Sequence, residues 1–412
     1  MRGMLYRTFL VTAYLSFNSI CFAGIAADPK VLLGETLFFD SYLSSPKGQA
    51  CASCHAPDAG WTGPDQTINL HGAVYEGAVV GRFGNRKPPS AGYAPFAPNF
   101  HREASGAFIG GNFWDGRATG NKLGNPAADQ AQGPFLNPLE HNIASPHAFC
   151  HLVKESKYAK RKTGWSYEKL FERAFGHDAL NCSDDINGTY DRAALAISAY
   201  EASPKVSAFS SKFDAYLNGT ANLTEQEQKG MELFAGKGKC AACHSMASGT
   251  NGEPPLFTDF AYDNLGTPRN PENPFYQMPA TYNPAGSAWV DPGLGGYLAG
   301  TPDFFQFAAE NYGKQKVPTL RNVDKRPFLG FVKAYTHNGA FKSLEEVVHF
   351  YNTRDVYPDC TSVSAPARGI NCWPAPEVSA NVNRAEMGNL GLSAEEETAV
   401  VAFLKTLTDG YR

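Results

Sequence analysis

The chain has 412 residues, a formal net charge of −4 and nine cysteines. That length holds two domains and a sizeable core, and a slightly acidic balance without any basic run argues against nucleic acid as a partner. Forty glycines, 28 prolines and 13% aromatic residues describe a loop-rich protein with much aromatic packing.

The N-terminus reads as an export signal. Arg2 and Arg7 flank the start of an apolar run from Phe9 to Phe22, and the small residues Ala23, Gly24, Ala26 and Ala27 follow. This pattern predicts a secretory signal peptide over residues 1–27, cleaved between Ala23 and Asp28. The run is short and interrupted by Asn18 and Ser19, which disfavours a membrane anchor, and no later stretch could span a bilayer. Cys21 raises lipidation, but Asn18-Ser19-Ile20 is a poor context for it.

Next comes a helix containing Gly34-Glu-Thr-Leu37-Phe38, and then Cys51-Ala-Ser-Cys54-His55. In Cys-x-x-Cys-His, both thiols attach to the vinyl groups of one haem and the histidine ligates its iron. A redox pair or half of a zinc site is the alternative for a lone Cys-x-x-Cys. A second copy, Cys240-Ala-Ala-Cys243-His244, weighs against both and predicts two covalently bound c-type haems.

Residues 190–216 read as helical, with Ala193, Ala196, Ile197 and Tyr200 on one face, until Asn218-Gly219-Thr220 breaks the pattern. The domain boundary is placed there, giving 28–218 and 219–412. The second unit repeats the first. A capping box, Thr224-Glu-Gln-Glu227, starts a helix with Gly230-Met-Glu-Leu233-Phe234 ahead of the second haem motif. Residues 248–300 are rich in Gly, Pro, Asn and aromatics without periodicity, as in loops that are functional or tied down by a cofactor. The tail opens on another capping box, Ser393-Ala-Glu-Glu396, and buries Ala399, Val400, Phe403, Leu404 and Leu407. The expected fold is mainly α, with two cytochrome c-like haem domains and long irregular loops. Excluding Cys21 and the four haem thiols, an even set remains, and regional proximity pairs Cys150 with Cys182 and Cys360 with Cys372.

Several further motifs resemble those of the bacterial di-haem cytochrome c peroxidase and MauG family. They are Leu33-Gly-Glu-Thr-Leu-Phe-Phe-Asp40, Phe113-Trp-Asp-Gly-Arg-Ala118, Gln130 with Gly133-Pro134, and Asn137-Pro-Leu-Glu140. Val317-Pro-Thr-Leu-Arg-Asn322 and Tyr335-Thr-His-Asn-Gly339 complete the set, so the resemblance covers nearly all of the mature chain. Asn85-Arg-Lys-Pro-Pro-Ser90, Val348-His-Phe-Tyr-Asn-Thr-Arg-Asp355 and Leu404-Lys-Thr-Leu-Thr-Asp-Gly410 look most like the MbnH-type branch, which resembles MauG in acting on partner proteins.

The resemblance implies roles. Gln130, Pro134 and Glu140 would form the distal pocket of the first haem, opposite His55, with Glu140 as the acid-base group. Taken alone, Glu140 would read as a solvated loop carboxylate. Trp114 would lie between the haems and relay electrons; otherwise it is a core aromatic. Tyr351 stands where conventional members carry a methionine ligand to the second iron and MauG-like members a tyrosine. Its oxygen donor favours oxidised iron, whereas a thioether favours the ferrous state. His349 and Met278 are the alternatives there. His71 falls near a loop histidine of conventional peroxidases, yet reads better as a surface residue. The family binds calcium between the haems. Here Lys87 replaces a ligating asparagine, and Val332 and Ala334 replace the usual residues near the other ligands, although those are carbonyl donors that any residue supplies; a protonated lysine cannot ligate calcium, which leaves that ion doubtful and offers Lys87 as a replacement for its charge.

The sequence thus predicts a periplasmic enzyme that uses hydrogen peroxide to form high-valent haem iron and oxidises a partner protein at a distance. In the MbnH-type branch the implied target is a tryptophan of a copper-related partner, converted to kynurenine. The first rival is a conventional cytochrome c peroxidase that detoxifies peroxide with electrons from a small cytochrome or cupredoxin. The second is a non-enzymatic electron carrier, which would need no Glu140 or Gln130.

Overall fold

The computed structural model describes residues 28–412 except Thr250, Asn251, Val363 and Pro366. The expected signal peptide, residues 1–27, lies outside the described residues. Within them the chain is mainly helical. In chain order the helices are α1 (Pro29–Phe38), α2 (Gln66–Leu70), α3 (Pro126–Leu136), α4 (Pro146–Glu155), α5 (Tyr158–Thr163), α6 (Tyr167–Phe175), α7 (Ile186–Ala202), α8 (Lys212–Leu217), α9 (Glu225–Ala235), α10 (Gly293–Ala299), α11 (Leu344–Thr353) and α12 (Ala394–Lys405). Two short antiparallel ribbons join them: His101–Arg102 with Phe108–Ile109, and Tyr262–Asp263 with Gln315–Lys316. No described helix is long and apolar enough to cross a membrane.

Two large apolar clusters organise the molecule. One gathers Leu33, Leu37 and Phe38 of α1 with Phe135, Phe149, Phe171 and the α7 face Ala193, Ala196, Ile197 and Tyr200. The other gathers Leu233 and Phe234 of α9 with Phe213, Phe257, Phe341, Trp373 and the α12 face Ala399, Val400, Phe403 and Leu404. The same device builds both. Helix α1 crosses α7 at Gly34, where a Cβ would stand 1.9 Å from the Ala196 carbonyl oxygen. Helix α9 crosses α12 at Gly230, where a Cβ would stand 1.9 Å from the Ala399 carbonyl oxygen. The repeated glycine therefore marks backbone-to-backbone contact between the helix before each haem motif and a later one.

Local signals placed these helices correctly. Thr224 and Ser393 form capping boxes with Glu227 and Glu396, satisfying backbone groups that the first turn leaves free. The continuous helix expected over 190–216 is instead two: α7 stops at Ala202 and α8 begins at Lys212. Pro204 disfavours helical geometry at Ser203, and Ser203 is extended, with ψ 159°. Residues 248–300 also hold α10, which the absence of periodicity hid. The rest of that stretch is tied down by asparagine amides. Asn270 Nδ2 donates to the carbonyls of His71, Gly72 and Asn338, and Asn283 Nδ2 to those of Phe275 and Gly286. The disulfides are Cys150–Cys182 and Cys360–Cys372, as expected.

Adding a methyl at Gly230 should force α9 and α12 apart. Gly230→Ala is expected to destabilise the protein by about 1–3 kcal/mol, the scale of overpacking, read by thermal unfolding. An unchanged midpoint would mean that the crossing has slack.

Candidate functional site

Each Cys-x-x-Cys-His motif folds as one tight turn. Cys51–Ser53 and Cys240–Ala242 are 3-10 turns, and the His55 and His244 amides donate back to the Cys51 and Cys240 carbonyls at 3.0 and 2.9 Å. The turn puts two sulfurs and an imidazole on one wall of a cavity. The first cavity is lined by Cys51, Cys54, His55, Trp114, Gln130, Pro134 and Glu140 among others. The second is lined by Cys240, Cys243, His244, Trp114, Tyr351 and Met387 among others.

Both cavities suit a macrocycle with an iron. The four motif thiols form no disulfide. His55 Nδ1 lies 3.1 Å from the Trp61 carbonyl and His244 Nδ1 2.9 Å from the Phe257 carbonyl. Those contacts engage Nδ1 and leave Nε2 as the nitrogen for a metal. Burial pushes both imidazoles down to about 4, which keeps them neutral and able to ligate.

Helix α3 and the turn after it build the wall of polar groups in the first cavity. Asn125 caps α3 by accepting from the Ala127 amide. Gln130 and Pro134 are four residues apart and share a helix face. Pro134 lacks an N–H, so the Gln130 carbonyl loses its helical partner. After the helix, Asn137 organises the turn: its Oδ1 accepts from the Leu139 amide at 2.9 Å, and its Nδ2 donates to Glu140 Oε1 at 2.6 Å. Burial raises the Glu140 carboxyl above its ordinary range, while the Asn137 bond and the Arg117 charge pull the other way.

Trp114 lines both cavities, as do Lys316, Val317, Pro318 and Thr319. The indole is held from two sides. Its Nε1 donates to the Lys87 carbonyl at 2.9 Å, and its own carbonyl accepts from the Lys316 amide at 2.8 Å. Next to it, Asp115 pairs with Arg86 at 2.5 Å and with Arg117 at 2.6 Å, and Arg86 also grips Asp291 through two bonds of 2.6 Å. The Phe113-Trp-Asp-Gly-Arg-Ala118 motif is thus a clamp that fixes one aromatic ring.

Tyr351 faces its cavity from α11, one turn after Val347. Burial pushes its phenol well above the usual range, so losing its proton there requires a cation beside it. The alternatives considered for that place lie elsewhere. His349 is bonded to Glu397 at 2.9 Å, and Met278 Sδ accepts from the Phe83 amide. His71 is exposed, 3.0 Å from Glu272, and does not line the first cavity.

Three lining residues escaped the sequence reading. Glu201 lines the first cavity, and burial pushes its carboxyl up to about 8; a carboxylate one turn after Ile197 on an apolar face was the available signal. Lys316 directly precedes the Val-Pro-Thr motif that pointed to it. Met387 offers a thioether in the second cavity, and no local pattern flags it.

The family model for di-haem cytochrome c peroxidase matches residues 28–222. The methylamine utilization protein MauG of Paracoccus denitrificans is 35% identical over 388 residues, covering 93% of this chain and 89% of that protein. The diheme peroxidase BthA of Burkholderia thailandensis superposes with a TM-score of 0.69 at 30% identity, covering 92% of this chain and 86% of that one. A MauG-like protein associated with microbial copper homeostasis superposes with a TM-score of 0.60 at 26% identity, covering 93% and 90%.

The Asn137 amide favours the ionised form of Glu140, so removing it leaves burial less opposed. In Asn137→Ala the carboxyl should titrate at higher pH than in wild type, followed by its infrared stretching band. An equal or lower midpoint would show that the bond does not govern this acid.

Proposed function

The chain belongs to the di-haem cytochrome c peroxidase family, and on that premise we propose that it spends the oxidising power of hydrogen peroxide on a partner protein bound outside the haem cavities. It is a di-haem peroxidase, with two haem groups and peroxide as oxidant. The proposal adds that each haem is covalently held, by Cys51 and Cys54 with His55 as iron ligand, and by Cys240 and Cys243 with His244. It adds that residues 28–218 carry the peroxide-reactive haem and 219–412 a six-coordinate one completed by Tyr351, in a protein exported to the periplasm.

The observation that carries this reading is the pair of groups that α3 with its exit turn and α11 deliver to separate cavities. The first cavity receives Gln130, Pro134, which presents no ligating atom, and Glu140, an acid that burial shifts toward its protonated form; the second receives the buried phenol of Tyr351, with Asp263, His337 and Glu386 also in its lining. The bound haems supply cleavage of the peroxide bond and hold the oxidising equivalents. The chain handles protons and position. Gln130 donates a hydrogen bond to the incoming peroxide, and Pro134 leaves the reacting face clear. Glu140, whose carboxyl burial shifts toward its protonated form, moves a proton between the two peroxide oxygens. Peroxide leaves as two waters after taking two protons, and two electrons arrive from the partner. Trp114, fixed between the cavities, shortens the path those electrons take. Likeness to MauG and to the protein associated with copper homeostasis supports a protein as the electron source, with conversion of a partner tryptophan to kynurenine as the specific reaction; that conversion gives up four electrons and so takes two peroxides, with water supplying the added oxygen and one ring carbon leaving as formate.

Met387 favours a second reading. If its sulfur, rather than Tyr351, completes the second iron, the protein is a conventional peroxidase fed by a small cytochrome or cupredoxin.

Two measurements test these readings. Glu140→Gln should slow the reaction with peroxide by roughly 10²–10⁴-fold, the usual scale for losing a general acid-base group, without disturbing the resting spectrum. An unaltered rate would remove Glu140 from the chemistry. Stopped-flow mixing of fully oxidised protein with peroxide then separates the ligands. A prompt reaction that Tyr351→His abolishes supports the tyrosine reading. Inertness until one-electron reduction, with sensitivity to Met387→Leu instead, supports the conventional one.

A further inference from the structure

Two buried amino groups stand near the wall between the cavities. Lys333 is 4% exposed, and its Nζ donates to the carbonyls of Ala59, Asn322 and Lys325 at 3.0, 3.2 and 3.0 Å. The acceptors come from separate stretches: the turn after the first haem motif, the end of the Val-Pro-Thr-Leu-Arg-Asn motif, and the loop leading to Lys333. Only a protonated amine carries three hydrogens for three acceptors. Burial and the neighbouring Lys87 push this group down to about 7, and the three carbonyl dipoles favour its charged form.

The pocket is built around this amino group. Gly60 has φ +74°, and a Cβ there would lie 3.0 Å from Lys333 Nζ and 2.7 Å from the Asn322 carbonyl oxygen. Lys87, 7% exposed, donates to Thr62 Oγ1 at 3.0 Å and to the Pro88 carbonyl at 2.9 Å. None of these five acceptors is a carboxylate.

A calcium ion does not fit here. It takes six to eight oxygens at about 2.3–2.6 Å, commonly with carboxylates. Position 87 supplies a cation instead of an oxygen. The Val332 carbonyl already accepts from Asn69 Nδ2 at 3.1 Å. Lys333 itself lies between the two residues whose carbonyls the resemblance would assign to the ion.

We propose that Lys333, with Lys87 beside it, is a tethered cation that takes the place of the divalent ion, so that the clamp between the first haem turn and the C-terminal half is part of the chain and independent of calcium. The Ala59 carbonyl belongs to the loop that follows His55, and the Lys87 carbonyl holds the Trp114 indole. The two lysines therefore fix the turn that carries one iron ligand and the ring between the cavities.

The test uses the purified holoprotein dialysed into metal-free buffer. Elemental analysis should find calcium far below one atom per chain. Neither EGTA nor added calcium should change the melting temperature or the rate of reaction with peroxide. One retained calcium per chain, whose removal by EGTA lowers the melting temperature, overturns the proposal. Lys333→Met keeps the apolar stem and removes the charge, and should lower the melting temperature by roughly 5–10 °C; an unchanged value also overturns it. If that variant does not accumulate, the calcium content and EGTA response of the wild type decide alone. These readouts do not depend on which protein supplies electrons.

Discussion

A thin wall made by two separate stretches of chain divides two cavities, and much of the molecule serves to keep that wall still. Trp114 and residues 316–319 face both sides. A wall of this kind can be only one residue thick, so it cannot be stiffened by a core of its own. It is held from its edges by charge and hydrogen bonding. Arg86 joins Asp115 to Asp291, two carboxylates far apart in sequence, and burial of all three leaves the pairs little screened. Breaking such a network at one member would strand the others without partners in a poorly solvated place.

The electrostatics of the two sides follow from the same constraint. Lys316 lines both cavities, the buried Lys87 and Lys333 lie behind the first haem turn and the Trp114 indole, and the carboxyls of Glu140 and Glu201 face the first cavity. Loss of solvation drives the acids toward their protonated form and the amines toward their neutral one. The acids thus hold their protons more tightly, while carbonyl, amide and hydroxyl oxygens around each amine accept its hydrogens and oppose the loss of its charge. Groups of opposite type respond to one cause in opposite directions, and the partners around each decide what it does.

What could be read from the sequence was whatever is written locally. Two haem motifs, two capping boxes, a repeated Gly-x-x-Leu-Phe and the α12 face each depend on residues within about a dozen positions of one another, and all fold as their spacing suggests. Gln130, Pro134 and Glu140 were flagged by the family resemblance rather than by local pattern, and one helix and its exit turn bring all three to the first cavity. Lys333 was not, because its meaning lies in carbonyls of Ala59 and Asn322, and a backbone oxygen leaves no mark on residue identity. Met387 and Glu201 reach their cavities by tertiary folding alone. The break between α7 and α8 was visible at Pro204 but was outweighed by a periodic pattern that continued on either side of it.

The burial of the motif sulfurs bears on how the protein is made. In the folded chain, loss of solvation pushes the Cys54 and Cys240 thiols up to about 12, leaving almost no thiolate and hence little nucleophile. The thioethers proposed for these sulfurs would therefore have to form on an earlier, open chain whose thiols still ionise normally. The Cys150–Cys182 and Cys360–Cys372 bridges have the opposite need, since they must form without capturing a motif thiol. Each bridge closes over a short separation, 32 and 12 residues, so its partners meet early in folding. Chain order and loop length thus keep the thiols that pair with each other apart from the motif thiols that line the cavities.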